Sequence, residues 1–278
     1  MKIKIRLSTM PYRLSTILLL VFYTLGFKSF ETWQDIDKQD STYIKLFYEG
    51  KYQKALPQIK RLAKNGDAVA QYTLAKMYDR GRHWISCRAY RNCYPNNFKP
   101  EDDFDFSKSK AKLWYKKAIS NGHPYAAYML TEHIVKDRNP MPEKNKKLSI
   151  ETLLPRVKAG DAVATYMYYE LTSYTFAITP QTSDTSNQKA RENLEMIIEI
   201  LLKEAQQGRV LAMHYLGKAY FHLLDYPKSF AWFTAASQRG FSPSGVHQLM
   251  VLKFIEKEDQ ESETAKEIYK VRTMLESG

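Results

Sequence analysis

Apolar side chains return at intervals of three and four along most of the chain from about residue 40 onward, the spacing of helices that each bury one face. The run before Gly66 is Ala55, Ile59 and Leu62, and the run before Gly208 is Ile197, Leu201 and Ala205. Trp114, Tyr115 and Ala118 precede Gly122 just as Trp232, Phe233 and Ala236 precede Gly240, with Ala111 and Ser229 three residues ahead of each Trp. This periodicity predicts helices near 40–49, 51–64, 67–80, 106–120, 124–137, 147–158, 161–175, 188–206, 209–223, 227–238, 243–257 and 261–276. Taken two at a time in that order, they are expected to form six antiparallel helical hairpins.

The helices share a register. Gly66-Asp67-Ala68-Val69-Ala70-Gln71-Tyr72 returns with one change as Gly160-Asp161-Ala162-Val163-Ala164-Thr165-Tyr166, and weaker copies start at Gly122, Gly208 and Gly240. Four positions after each glycine stands a small residue: Ala70, Ala126, Ala164, Ala212 and Ser244. Eight positions after it stand Leu74, Leu130, Tyr168, Leu216 and Gln248. Residues four apart share a helix face, so the small one admits a neighbouring backbone while the large one fills the space beside it. Each glycine is expected to end a helix in the left-handed conformation, with Asp67 or Asp161 capping the next. Such a unit cannot bury its apolar face alone and does so by stacking, which predicts one helical-repeat domain over 40–278. Glycine spacings of 56, 38, 48 and 32 residues imply a basic unit in the thirties, lengthened by insertions at about 81–104 and 176–187.

The pattern G-x-x-x-A-x-Y-x-L-A-x-M-Y-x-x-G from Gly66 to Gly81, followed by A-x-x-W-Y-x-x-A-x-x-x-G from Ala111 to Gly122, resembles the SEL-one-like repeat, a relative of the tetratricopeptide repeat. Leu216, Gly217, Ala219 and Tyr220 fit the same pattern, whereas the units from Gly122 to Gly208 lack its Met-Tyr pair and its Trp. The resemblance implies an all-α, right-handed solenoid of antiparallel helix pairs that serves as an adaptor for protein complexes, often in a bacterial envelope. It brings no catalytic residues with it. On this reading Gly66, Ala70, Trp114, Gly122, Gly160, Ala164, Gly208, Ala212, Trp232 and Gly240 are structural.

Composition adds a compartment. Lys2, Lys4, Arg6 and Arg13 precede an uncharged apolar stretch from Leu14 to Phe27, short for a bilayer span of about 20 apolar residues. Residues 1–26 are therefore expected to be a signal peptide cut after Gly26, or else an uncleaved anchor, with 27–39 a short linker. Export would place the mature body in the periplasm; anchoring would hold the same body at the inner membrane. Loss of the four basic residues takes the formal charge from +12 to +8, a mild bias toward acidic partners spread over the whole chain. Nucleic acid is not the expected partner. Cys87 and Cys93, six residues apart, are expected to form a disulfide in an oxidising compartment.

Two places invite a partner. The insertion carries Trp84, Arg88, Tyr90, Arg91 and Tyr94, of residue types enriched in interface hot spots. Alternatively, its aromatics fold back on their own repeat. The helix after Gly160 carries Tyr169 and Tyr174 beyond the one stripe it can bury, on the groove that first helices line in a solenoid. The six histidines form no metal-binding pair, His214 stands in the register of Tyr72, and neither a phosphate loop nor a nucleophile elbow occurs. No cofactor or enzyme activity is expected. The expected function is a non-enzymatic scaffold of the cell envelope, the alternative a binder of peptidoglycan or anionic polysaccharide through an aromatic, basic groove.

Overall fold

A computed structural model describes residues 37, 41–48, 51–88, 107–135, 142–173, 184–239, 241–257 and 261–276; along 80–88 only the backbone is described. The chain divides into Met1–Thr32 and Trp33–Gly278, and every described residue belongs to the second unit. That unit is all-helical among the described residues: α1 (Thr42–Tyr48), α2 (Tyr52–Lys64), α3 (Ala68–Arg88), α4 (Lys108–Ser120), α5 (Ala126–Val135), α6 (Glu143–Lys158), α7 (Ala162–Thr172), α8 (Asp184–Gln206), α9 (Val210–His222), α10 (Tyr226–Gln238), α11 (Ser242–Lys257) and α12 (Glu261–Glu276). None of these is long and apolar enough to cross a membrane. Each helix from α2 to α10 packs against the one before it and the one after it, as stacked pairs require.

The shared register explains the packing. Ala70, Ala126, Ala164, Ala212 and Ser244 are all fully buried, so five helix starts present a side chain small enough for a neighbouring backbone to come close. Gly66, Gly122, Gly160 and Gly208 all hold positive φ, from 82° to 91°. At Gly160 this turn lets Asp161 N donate to Arg156 O, closing α6, and Asp161 Oδ1 then accepts from Ala164 N at 2.8 Å to open α7. Asp67 caps α3 in the same way, accepting from Ala70 N at 2.8 Å.

α6 and α8 each begin four residues before the expected start, so 184–187 of the second insertion is helical, and two larger features differ from the periodicity. α3 continues to Arg88, eight residues beyond its expected end, so the start of the 81–104 insertion is helical. The last two helices are not a hairpin: α12 packs chiefly on α10 and barely touches α11. The reason is that they feed different cores. Ile268, Val271, Met274 and Leu275 of α12 join the main apolar core of the stack, whereas Val251 and Ile255 of α11 join a smaller cluster with Tyr226 and Phe233.

One contact in α9 is unusually close. Ser229 Oγ donates to Gly217 O at 2.8 Å, and a Cβ placed on Gly217 would lie 2.6 Å from the buried ring of Phe233. Gly217→Ala therefore overpacks the α9–α10 seam, with an expected loss of about 1–3 kcal/mol in urea unfolding. A loss of only a few tenths would show that the ring has room to retreat.

Candidate functional site

Three further positions of the register face one another across the stack. The residue after each glycine is Asp67, His123, Asp161, Arg209 or Phe241; six positions on stand Tyr72, Tyr128, Tyr166 and His214; ten positions on stand Lys76, Glu170 and Lys218. Apart from Asp67 and His214, these residues gather in two clusters.

The first is a buried ion centre around Arg209, whose side chain is fully enclosed. Its Nε donates to Asp37 Oδ2 at 2.8 Å, Nη1 to Asp161 Oδ1 at 3.2 Å and to Glu204 Oε2 at 2.6 Å, and Nη2 to the Tyr125 hydroxyl at 2.7 Å. Tyr125 passes its own proton toward Asp161 Oδ2 at 2.6 Å, and Arg156 Nη2 donates to the same oxygen at 2.8 Å. Glu204 Oε1 in turn accepts from Ala162 N at 3.1 Å. One guanidinium thus ties together the turns at Gly122, Gly160 and Gly208 and a residue that precedes α1.

The three carboxylates are not equivalent. Burial disfavours the charge on Asp161, but Arg209, the Tyr125 hydroxyl, Ala164 N–H and Arg156 outweigh it and hold the carboxyl below its usual value. Burial wins at Asp37, where Arg209 offsets it only in part and the carboxyl is pushed up. The same balance raises Glu204. Arg209 itself stays protonated, since three carboxylates and Tyr125 overcome its own burial.

Beside this centre a crevice opens between the starts of α3 and α9, lined by Asp37, Phe47, Tyr72, Lys76, His123 and Leu211 among others. The Lys76 ammonium lies over the rings of Phe47, Tyr72 and Phe241 at 5.8, 5.2 and 5.5 Å. His123 stacks on Tyr72 with ring centroids 4.0 Å apart, and its Nδ1 accepts from Tyr125 N at 3.3 Å. Burial, then Lys76, pushes its pKa down to about 3, so the ring is neutral. The unfolded chain, with an ordinary histidine near ~6.5, takes up this proton first as pH falls. The stability contributed by the neutral ring is thus complete above ~6.5 and is lost at about 1.4 kcal/mol per pH unit toward the folded value. His123→Phe keeps the stacked ring and is expected to remove that slope between about pH 6 and 4 in urea unfolding at stepped pH. Identical slopes in both proteins would show that His123 titrates as in solvent.

The second cluster links side chains of α5, α7 and α9. The Tyr128 hydroxyl donates to Glu170 Oε2, and Lys218 Nζ donates to Glu170 Oε1 at 3.2 Å. Lys218 also lies over the rings of Tyr166 and Tyr215 at 5.1 and 5.4 Å. Burial opposes ionisation of Glu170, yet Lys218 and Tyr128 hold its carboxyl below the usual value. Burial, followed by Lys218, pushes His222 nearby down to about 4. With side chains 21% and 23% exposed, Lys218 and Glu170 are ordered polar groups that still reach solvent, as a recognition surface needs.

Of the sites expected from sequence, Tyr169 is half-buried against the core and edge-on to Tyr168, adjacent to Glu170. Trp84, Cys87 and Arg88 fall on the last turns of α3, where side chains are not described, and Tyr90, Arg91, Cys93, Tyr94 and Tyr174 lie outside the described residues, as does the N-terminal segment. His214 packs between Tyr215, Phe233 and Phe241 and bonds through Nδ1 with Ser244 Oγ at 2.9 Å, consistent with its register. Apolar periodicity carries no signal for Asp37, Tyr125, Glu170 or Lys218. A signal existed for Arg209: it stands where Asp67 and Asp161 cap helices, and a guanidinium has no acceptor with which to cap. Among the described residues no group of three or more His, Cys, Asp or Glu is placed to hold a metal ion. No protein-family profile matches the chain, and no curated protein matches its sequence.

Proposed function

We propose that the chain is a non-enzymatic scaffold of the cell envelope that holds a partner protein on the face formed by α5, α7 and α9. The observation that carries this reading is the Tyr128–Glu170–Lys218 row, in which three successive units join one another and the buried Tyr128 hydroxyl orders Glu170, which with Lys218 is partly exposed. Supporting it are the stacked helix pairs, the resemblance to SEL-one-like repeats and the export-like first segment. In this reading the pairs wind as a right-handed solenoid in the periplasm, released by cleavage or held by an inner-membrane anchor, and the Cys87–Cys93 disulfide pins the insertion. The polysaccharide reading needs an excess of positive charge on an aromatic groove. On the described face Lys218 is matched by Glu170, so a protein partner is the better fit.

The test is crosslinked co-purification of the tagged full chain from its host, with and without polymer-degrading enzymes. Alongside it runs the double variant Glu170→Lys/Lys218→Glu, which keeps the internal pair and inverts the charges shown to a partner. The proposal expects a protein retained by wild type despite polymer digestion and released by the variant, which loses the Tyr128 bond and the ring contacts of Lys218 and so melts lower, but keeps the helical circular dichroism of wild type. Retention of polymer alone, or of the same proteins by both chains, contradicts it.

A further inference from the structure

The helices divide the positive charge of the chain unevenly. In α2, YQKALPQIKRLAK, every charged side chain is basic and all four are exposed. In α4, KSKAKLWYKKAIS, every charged side chain is again basic, and all but Lys108 are exposed. Both are second helices of their pairs: α2 packs on α1 and α3, and α4 on α3 and α5. Each buries a stripe of apolar residues at helical spacing, Ala55, Ile59 and Ala63 in the one and Ala111, Tyr115 and Ala118 in the other, so the basic side chains crowd onto the opposite side. Helices late in the chain differ, with five acidic residues against three basic in α8 and four against three in α12. The basic side of α4 also carries apolar groups. Leu113 is 51% exposed, and Trp114 beside it is half-buried with the Lys117 ammonium 4.4 Å from its ring centre. A soluble polyanion matches the charge and gains nothing from an exposed leucine. An anionic bilayer takes both, because lysine stems lie along apolar surface with their ammonium groups among the headgroups, and tryptophan favours the same depth.

We propose that the outer side of α2 and α4 is a membrane-docking face that rests on anionic phospholipid headgroups, with Leu113 and Trp114 reaching toward the acyl boundary. It is a second surface beyond the partner row, and it rests on the scaffold reading only for the nearness of a membrane. Tyr128, Glu170 and Lys218 stand on the first helices α5, α7 and α9, so partner and lipid are met by different helices. An N-terminal segment left in the bilayer would keep the body close to the surface, where a modest attraction per lysine suffices.

The experiment mixes the full chain with vesicles of phosphatidylcholine containing roughly 30% phosphatidylglycerol, or of phosphatidylcholine alone. Because the N-terminal segment can hold the chain on either vesicle, the face is read by acetylation of lysines with a membrane-impermeant reagent and mass spectrometry. Lys60, Lys64, Lys112 and Lys116 are expected to react at least about fivefold more slowly on the anionic vesicles, Lys189 and Lys203 at an unchanged rate, and added sodium chloride is expected to abolish the difference. Protection of both sets alike, or of neither, overturns the face. In vesicle flotation, Lys60→Gln/Lys64→Gln/Lys112→Gln/Lys116→Gln is expected to reduce the binding gained from phosphatidylglycerol by more than about tenfold. A control of equal net charge, Lys189→Gln/Arg191→Gln/Lys203→Gln/Lys266→Gln, is expected to keep it. All eight side chains are exposed, and the helical circular dichroism of both variants is expected to match wild type. Equal losses in the two variants would assign the effect to net charge and overturn the face, and binding to poly-glutamate with none to the vesicles would overturn the lipid. Neither readout needs a captured protein, so this proposal and the scaffold reading fail separately.

Discussion

Arg209→Met is expected to destabilise the chain by about 3–5 kcal/mol, the cost of breaking a buried ion pair from one side. The methionine fills part of the volume and supplies no donor, so Asp37 and Glu204 keep their burial and lose their nearest cation, and the Tyr125 hydroxyl loses the Nη2 bond. Asp161 suffers less, because Arg156, Tyr125 and Ala164 N–H remain. In a thermal melt the change corresponds to roughly 6–20 °C. Urea unfolding is the better measurement, since it separates midpoint from slope. A loss below about 1 kcal/mol would mean that water enters the centre and solvates the carboxylates, which the enclosure of Arg209 opposes.

The second large effect separates two residues that look equivalent in sequence. Trp114 and Trp232 occupy the same register, but Trp232 is 2% exposed in α10, a helix packed against α9, α11 and α12. Trp114 is only half-buried on α4, which packs chiefly on α3 and α5, with the Lys117 ammonium 4.4 Å from its ring centre on the open side. Trp232→Ala is therefore expected to cost about 3–5 kcal/mol, and Trp114→Ala less than half as much. Equal losses in parallel urea unfolding would show that the register, not the local packing, sets the energy.

What could be read from the chain was local. Glycine at a helix end, aspartate after it and a small residue four positions on are short-range signals, and the structure places positive φ, a capping bond and full burial at those positions. α3 ends beyond its expected boundary because the repeat length, not the helix propensity of 81–88, sets that expectation. The last pair departs from expectation for a related reason. Periodicity shows that α11 and α12 each bury a face, but not which neighbour receives it, and here α10 outcompetes α11. Aligning units by apolar class hides the charged positions Lys76, Glu170 and Lys218. Asp37 had no local signal at all: it lies in the stretch read as linker, and its partner is 172 residues away.

The account stands on the joining of that distant carboxylate to the repeat turns through Arg209, and a double-mutant cycle between Asp37 and Arg209 measures it directly. Stabilities of the full chain, Asp37→Ala, Arg209→Met and the double variant are expected to give a coupling above about 1.5 kcal/mol, because Arg209→Met leaves the buried Asp37 carboxylate without its nearest cation and that part of the loss disappears once Asp37 is alanine. Single losses that add to within about 0.5 kcal/mol would show two independent sites and contradict the ion centre.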